Sequence, residues 1–149
     1  MWNNNYREML CALRDAAVDF IWVGAYALAA HGFPRATLDI NLWVRPAPDN
    51  AKRIFRALTV FGAPVAQINA ADFETEDMIV QIGVAPRRID FVTSISGVAY
   101  EAAARNVVER EIDGIRARIL SAADLLRNKL AAGRPKDLAD AVLLQQRAP

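Results

Sequence analysis

The sequence predicts an α+β domain, α/β-like in its alternation, built on a mixed twisted β-sheet flanked by helices. Three observations predict it. Short apolar runs with strand-like patterning are interleaved with segments of helical periodicity. Asp113-Gly114, set between two such runs, is the strongest short hairpin signal in the chain and demands antiparallel pairing. The 149 residues, 54% of them apolar, suit one ordinary domain with a sizeable core, read as a single unit over residues 1–149.

Each element has a local reason. Residues 4–17 place Tyr6, Met9, Leu10, Leu13 and Ala17 at helical spacing. Residues 19–23 contain Phe20-Ile21-Trp22-Val23, a buried strand that Gly24 ends. The Ala/Leu-rich residues 25–30 form a short helix, stopped by Gly32 and Pro34. In the strand over 38–44, Leu38, Ile40 and Leu42 share one face, and Asp39, Asn41 and Trp43 share the other. Pro46 and Pro48 break the chain, and Asp49 or Asn50 caps a helix to about Val60. Strands follow at 78–84 and 88–93, then a helix over 97–106 and two hairpin strands at 107–111 and 115–119. Ser121-x-x-Asp124 resembles a capping box and opens a helix to about Ala132. Gly133 ends that helix, and Pro135 opens the last one, which runs to about Gln146.

Composition removes several functions. The single cysteine, Cys11, excludes an internal disulfide and reads as a core thiol. With His31 as the only histidine, neither a Cys/His zinc cluster nor a multi-histidine metal site can form. No Gly-x-Ser-x-Gly elbow is present for a Ser-His-Asp triad. A net charge of +1 supplies no global field for nucleic acid, so any anion site must be local. No apolar run approaches the ~20 residues that cross a bilayer, and the first eight residues carry no signal pattern. A soluble, cytoplasmic protein without membrane contact is expected.

Three segments can carry chemistry. A strand ending at Gly24 and turning directly into a helix presents free backbone N–H groups, a natural phosphate site, although such a glycine also serves simply to make a tight turn. Asp39 and Asn41, at i and i+2 on a strand, share a face with Cα atoms roughly 6.5–7 Å apart and can converge on one hard cation. In Arg88-Ile89-Asp90-Phe91, Ile89 and Phe91 face one side, and Arg88 and Asp90 the other. If this strand lies beside the 38–44 strand, Asp90 comes next to Asp39, where it can bind metal and take a proton from an attacking hydroxyl. The alternative is an Arg88–Asp90 surface pair with no chemistry. Trp43 either stacks on a base or is buried under a helix. Arg35 is either a phosphate clamp or a solvated loop arginine. Lys129, Arg134 and Lys136 make a local positive cluster, with helix-surface pairs Arg134–Asp137 and Lys136–Asp140 as the alternative.

Together, Val23-Gly24-Ala25-Tyr26-Ala27, His31-Gly32, Arg35, Thr37, Asp39, Asn41 and Arg88-Ile89-Asp90 resemble the core of the DNA polymerase β-like nucleotidyltransferase superfamily. Within it they are most similar to the minimal bacterial type related to the toxins of abortive-infection and toxin–antitoxin pairs. Asp124-Leu125-Leu126, Lys129 and the run from Gly133 to Asp140 resemble the tail of the same group. The resemblance spans residues 19–143.

It implies a nucleotidyltransferase fold and metal-dependent transfer of a nucleoside monophosphate from a nucleoside triphosphate to a hydroxyl of tRNA or another RNA, a protein or a small molecule. Gly24 and Ala25 then hold the triphosphate, with Ala25 departing from the family's second Gly or Ser. Arg35, Thr37 and Lys129 belong to the nucleotide site by the same resemblance. Asp39, Asn41 and Asp90 become the catalytic residues and the ligands of Mg²⁺ (or Mn²⁺), with Asn41 standing where the family has an acid. An amide offers one carbonyl oxygen and no charge. That departure and Ala25 define a second expectation, a catalytically inactive module that binds a nucleotide or a partner. A cognate partner protein or a homodimer is expected because a chain this short lacks the second domain with which larger relatives hold acceptors.

Overall fold

The apolar stripe of the first segment needs a surface to cover, and in the computed structural model it covers a sheet. The structure describes residues 4–33, 39–83, 88–112 and 114–147. In chain order the elements are α1 (Asn4–Asp15), β1 (Phe20–Val23), α2 (Gly24–Ala30), β2 (Asp39–Val44), α3 (Pro48–Phe61), two 3₁₀ turns (Val65–Gln67 and Ala70–Glu74), β3 (Ile79–Ile82), β4 (Arg88–Val92), α4 (Tyr100–Ala104), β5 (Val108–Ile112), β6 (Ile115–Ile119), α5 (Ala122–Ala132) and α6 (Pro135–Arg147).

Among the described residues the strands form one six-stranded sheet in the order β3-β4-β2-β1-β6-β5. The sheet is mixed. β1 runs parallel to β6, β2 runs parallel to β4, and the β1–β2, β3–β4 and β5–β6 pairs are antiparallel. The α+β architecture, the mixed sheet and the flanking helices are thus as the sequence predicts.

One sheet face is a closed core. Ile40, Leu42, Ile89 and Phe91 are at most 2% exposed there. Phe73 from the second 3₁₀ turn meets Phe91 edge-to-face at 6.1 Å. Tyr6 of α1 and Trp22 of β1 both meet Tyr26 edge-to-face, at 6.4 and 6.0 Å. On the other face, Trp43 is buried and packs edge-to-face on Tyr100 of α4 at 5.1 Å. Trp43 is therefore a core residue, and the base-stacking alternative is set aside. Cys11 is half-buried against the core.

Several expected boundaries move for physical reasons. Helix α1 stops at Asp15, because Ala17 adopts φ 58° and the amide of Val18 bonds back to the carbonyl of Leu13, closing the helix with a left-handed residue. Ala17 is exposed rather than part of the apolar stripe. Helix α3 begins at Pro48 after Ala47, without a side-chain cap. Asn50, expected as a cap, is fully buried and instead bonds the amide and carbonyl of Asp19 and the carbonyl of Arg45. Helix α4 starts at Tyr100 rather than Gly97. Gly97 lies in a turn at φ 77°, and a Cβ there would stand 2.6 Å from Cβ of Ala131. This contact and the hydrogen bond from Asn128 to the carbonyl of Ser96 seat α5 on the loop after β4. Ser121 caps α5 as expected, accepting from the amide of Asp124. The carboxylate of Asp124 turns to Arg127 rather than completing the box. Asp113 of the hairpin turn lies outside the described residues.

Candidate functional site

The polar face of β2 and the start of α2 open into a cleft of about 790 Å³. Val23, Gly24, Ala25, Asp39 and Asn41 line it, together with Lys129, Arg134, Lys136, Asp137 and Asp140 of the α5–α6 pair. Met78, Ile79, Val92, Ser94 and Ser96 also line it.

Gly24 is required twice over at the strand-to-helix turn. Its φ is +70°, and a Cβ on it would lie 2.6 Å from Nδ2 of Asn41. The residue ahead, Val23, provides no side-chain cap, so the first amides of α2 are left for another acceptor. Gly24→Ala is expected to cost about 2–4 kcal/mol, combining left-handed strain with the clash. Thermal unfolding measures this as a melting temperature lower by roughly 5–15 °C. A loss under about 0.5 kcal/mol would show that neither term operates.

Asp39, Asn41 and Asp90 are brought together, with a register the sequence did not specify. In the parallel β2–β4 ladder Asn41 lies opposite Asp90, and Asp39 lies opposite Arg88. Asp90 therefore sits diagonally from Asp39, and Arg88 takes the place beside it. Nη2 of Arg88 donates to Oδ2 of Asp39 at 2.6 Å, and its Nε stands 3.0 Å from Oδ1 of Asp90. The second contact is an ion pair too poorly aligned for a hydrogen bond. Oδ1 of Asp90 and Oδ1 of Asn41 are both buried without a hydrogen-bond donor among the described residues. Burial raises the pKa of Asp90. Arg88 opposes that rise, and Asp39 adds to it. The negative field extends to Tyr6, whose hydroxyl bonds the carbonyl of Arg88. Its pKa is pushed up to about 12, first by burial and then by Tyr26, Asp39 and Asp90.

A buried amide oxygen without a hydrogen-bond partner among the described residues, beside two carboxylates, fits a hard cation in kind. The set is short of charge, because only two of the three residues are acids. Among the described residues no group of three or more His, Cys, Asp or Glu side chains is placed to hold a metal ion.

The α5–α6 part of the lining is an ion cluster. The Lys129 side chain is 9% exposed, with Nζ 3.4 Å from Asp137 and 3.3 Å from Asp140. Arg134 grips Asp137 from outside through Nε at 2.6 Å and Nη2 at 3.3 Å. The Arg134–Asp137 helix pair is thus formed, while Asp140 pairs with Lys129. Burial lowers the pKa of Lys129, against the pull of Asp137. Arg134, and then Lys129, hold the carboxyl of Asp137 below its usual range. The inward spacing of Asp137 and Asp140 at i and i+3 is the signal that could have placed both in the site.

His31 is structural. Its Nε2 donates to the carbonyl of Leu120 at 2.8 Å and ties α2 to the end of β6. Arg35 and Thr37 lie outside the described residues. Arg88, Ser94, Ser96 and Asn128 were not expected in the site. The last three come from loop and helix positions with no polar pattern to mark them.

No protein-family model matches the chain, and no curated protein matches it by sequence. The fold has a solved counterpart. A crystallised protein from Thermotoga maritima, itself only provisionally described as a nucleotidyltransferase, superposes with a TM-score of 0.57 at 15% identity, over 95% of this chain and 88% of its own. At that identity the likeness is one of fold. No helix among the described residues is long and apolar enough to cross a membrane.

Proposed function

We propose that this domain binds a nucleoside triphosphate with Mg²⁺ (or Mn²⁺) and transfers a nucleoside monophosphate to a hydroxyl of tRNA or another RNA, a protein or a small molecule, breaking the bond between the α- and β-phosphates and releasing pyrophosphate. The observation that carries this reading is the convergence of Asp39, Asn41 and Asp90 on adjacent strands, with Asp39 and Asn41 lining the same cleft as the uncapped start of α2 and Oδ1 of Asn41 buried without a hydrogen-bond partner among the described residues. The fold shared with the Thermotoga maritima protein supports it.

Each residue has a part. The amides after Gly24, at Ala25 and beyond, receive phosphate oxygens at the positive end of α2. Asp39, Asn41 and Asp90 supply the oxygen ligands of the divalent ion. When bound, that ion supplies charge neutralisation on the phosphates. Asp90, made more basic by burial, takes the proton of the acceptor hydroxyl. Lys129, with Arg35 and Thr37, completes the triphosphate site. A binding module without turnover is the second reading, favoured by Arg88 already lying across Asp39 and Asp90.

The test is thermal unfolding with each of the four nucleoside triphosphates, with and without Mg²⁺, followed by transfer of labelled nucleotide in a lysate. At a hundredfold excess over the dissociation constant, binding adds about 2.7 kcal/mol, or roughly 5–10 °C. A Mg²⁺-dependent shift with label transferred supports the enzyme. A shift without transfer, even by Asn41→Asp, selects a nucleotide-binding module, and no shift in either protein overturns the enzyme and leaves a module that binds a partner without the nucleotide.

A further inference from the structure

The geometry points to Arg88 as a tethered counter-cation that sets how readily this centre takes a divalent ion: metal enters by displacing the guanidinium from between Asp39 and Asp90. The inference rests on the reading of Asp39, Asn41 and Asp90 as a metal centre.

It starts from register. Arg88 is the cross-strand partner of Asp39 and stands two residues before Asp90 on the same strand face, so one side chain reaches both acids. The guanidinium engages three of their four oxygens, with Nη2 at 2.6 Å from Asp39 Oδ2, Nε at 3.0 Å from Asp90 Oδ1 and Nη2 at 3.4 Å from Asp90 Oδ2. These are the oxygens a divalent ion would need. The Arg88 side chain is 33% exposed and that of Asp90 12%, so the contact is screened far less than a surface pair.

Charge decides the competition. Two carboxylates and one guanidinium leave the centre at a formal −1. A divalent ion inserted with Arg88 in place would stand beside a like charge, and Asn41 adds no compensating charge. A third acid at position 41 would shift the balance toward metal. With Asn41 the built-in cation holds the advantage. The alternative role for Arg88 is to orient the two carboxylates for the metal, and it predicts the opposite response to mutation.

Mn²⁺ binding without nucleotide, read from the electron paramagnetic resonance of the free ion, separates the two. The unmodified protein is compared with Arg88→Gln, Arg88→Lys and Asn41→Asp. Arg88→Gln should bind Mn²⁺ about tenfold more tightly than the unmodified protein, and Arg88→Lys within about threefold of it. Arg88→Gln binding no tighter than the unmodified protein, while Asn41→Asp binds well, overturns the counter-cation role and leaves the metal centre standing. Failure of all four proteins to bind removes the metal centre itself. The unmodified protein gives an answer independent of how the variants fold. Saturating Mg²⁺ should move the Nε–Hε resonance of Arg88 as the ion pair opens, and a stationary resonance overturns the proposal.

Discussion

Asn41→Asp is expected to raise nucleotide transfer by about 10²–10³-fold, the range over which one preorganised electrostatic group acts on a transition state. The exchange is nearly isosteric, so the change is one of charge. The site offers it no donor, because Oδ1 of Asn41 is buried and unsatisfied. A new carboxylate would face Asp90 across the ladder, with Asp39 two residues away on the same strand. Without metal, the variant should therefore be less stable than the unmodified protein by about 1–3 kcal/mol. Mg²⁺ should recover that loss. The like charge also raises the pKa of Asp90 further. A raised carboxyl pKa means the penalty is present at neutral pH and relieved as pH falls through the folded-state value, so the gap to the unmodified protein narrows on acidification. Unfolding with and without Mg²⁺ at pH 7 and pH 5 measures both. Equal stability of the two proteins in metal-free buffer would contradict this account of the site.

Lys129→Met should cost about 3–5 kcal/mol, because it takes a buried cation from between two buried carboxylates rather than removing one surface charge. Asp137 and Asp140 are 0% and 1% exposed, and Asp137 would keep only the largely exposed Arg134 of its two cations. The melting temperature should fall by roughly 10 °C or more. Lys129→Met combined with Asp137→Asn and Asp140→Asn should recover much of the loss, since the buried groups that faced the lost cation are then neutral. The pH dependence has a defined sign. Asp137 has a depressed pKa in the folded protein, so its stabilising contribution is present above the unfolded value of 3.8 and lost as pH falls through the lower folded value. In Lys129→Met that depression weakens, and the deficit against the unmodified protein should be largest near neutrality and shrink as the carboxyls protonate. A deficit independent of pH would assign the loss to packing of the lysine stem instead.

Much of the fold was legible because it rests on local chemistry. The period-2 alternation of Asp39 to Val44 and the apolar run Phe20–Val23 name their strands whatever lies beside them. Ser121 marks a helix start by accepting a first-turn amide, Gly133 a helix end by its left-handed backbone, and Pro135 a first turn in which a missing N–H costs nothing. Errors came where a distant partner outcompeted the local signal. Asn50 leaves the cap position to bind Asp19 and Arg45, and Gly97 is withheld from a helix by the backbone of α5 and Ala131.

The site divides in the same way. The sequence by itself determined that Asp39, Asn41 and Trp43 share one strand face, that Arg88 and Asp90 share another, and that Gly24 turns a strand into a helix, since each follows from spacing along one segment. The tertiary structure alone decided that Trp43 of this face is buried under α4 while Asn41 opens to a cleft. It alone set Asn41 against Asp90 and Arg88 against Asp39. Strand register is a long-range property, chosen by which pairing buries Ile40, Leu42, Ile89 and Phe91 together on the opposite face. A slip of two residues would keep that face apolar and keep every local signal, yet it would change which charge Arg88 meets.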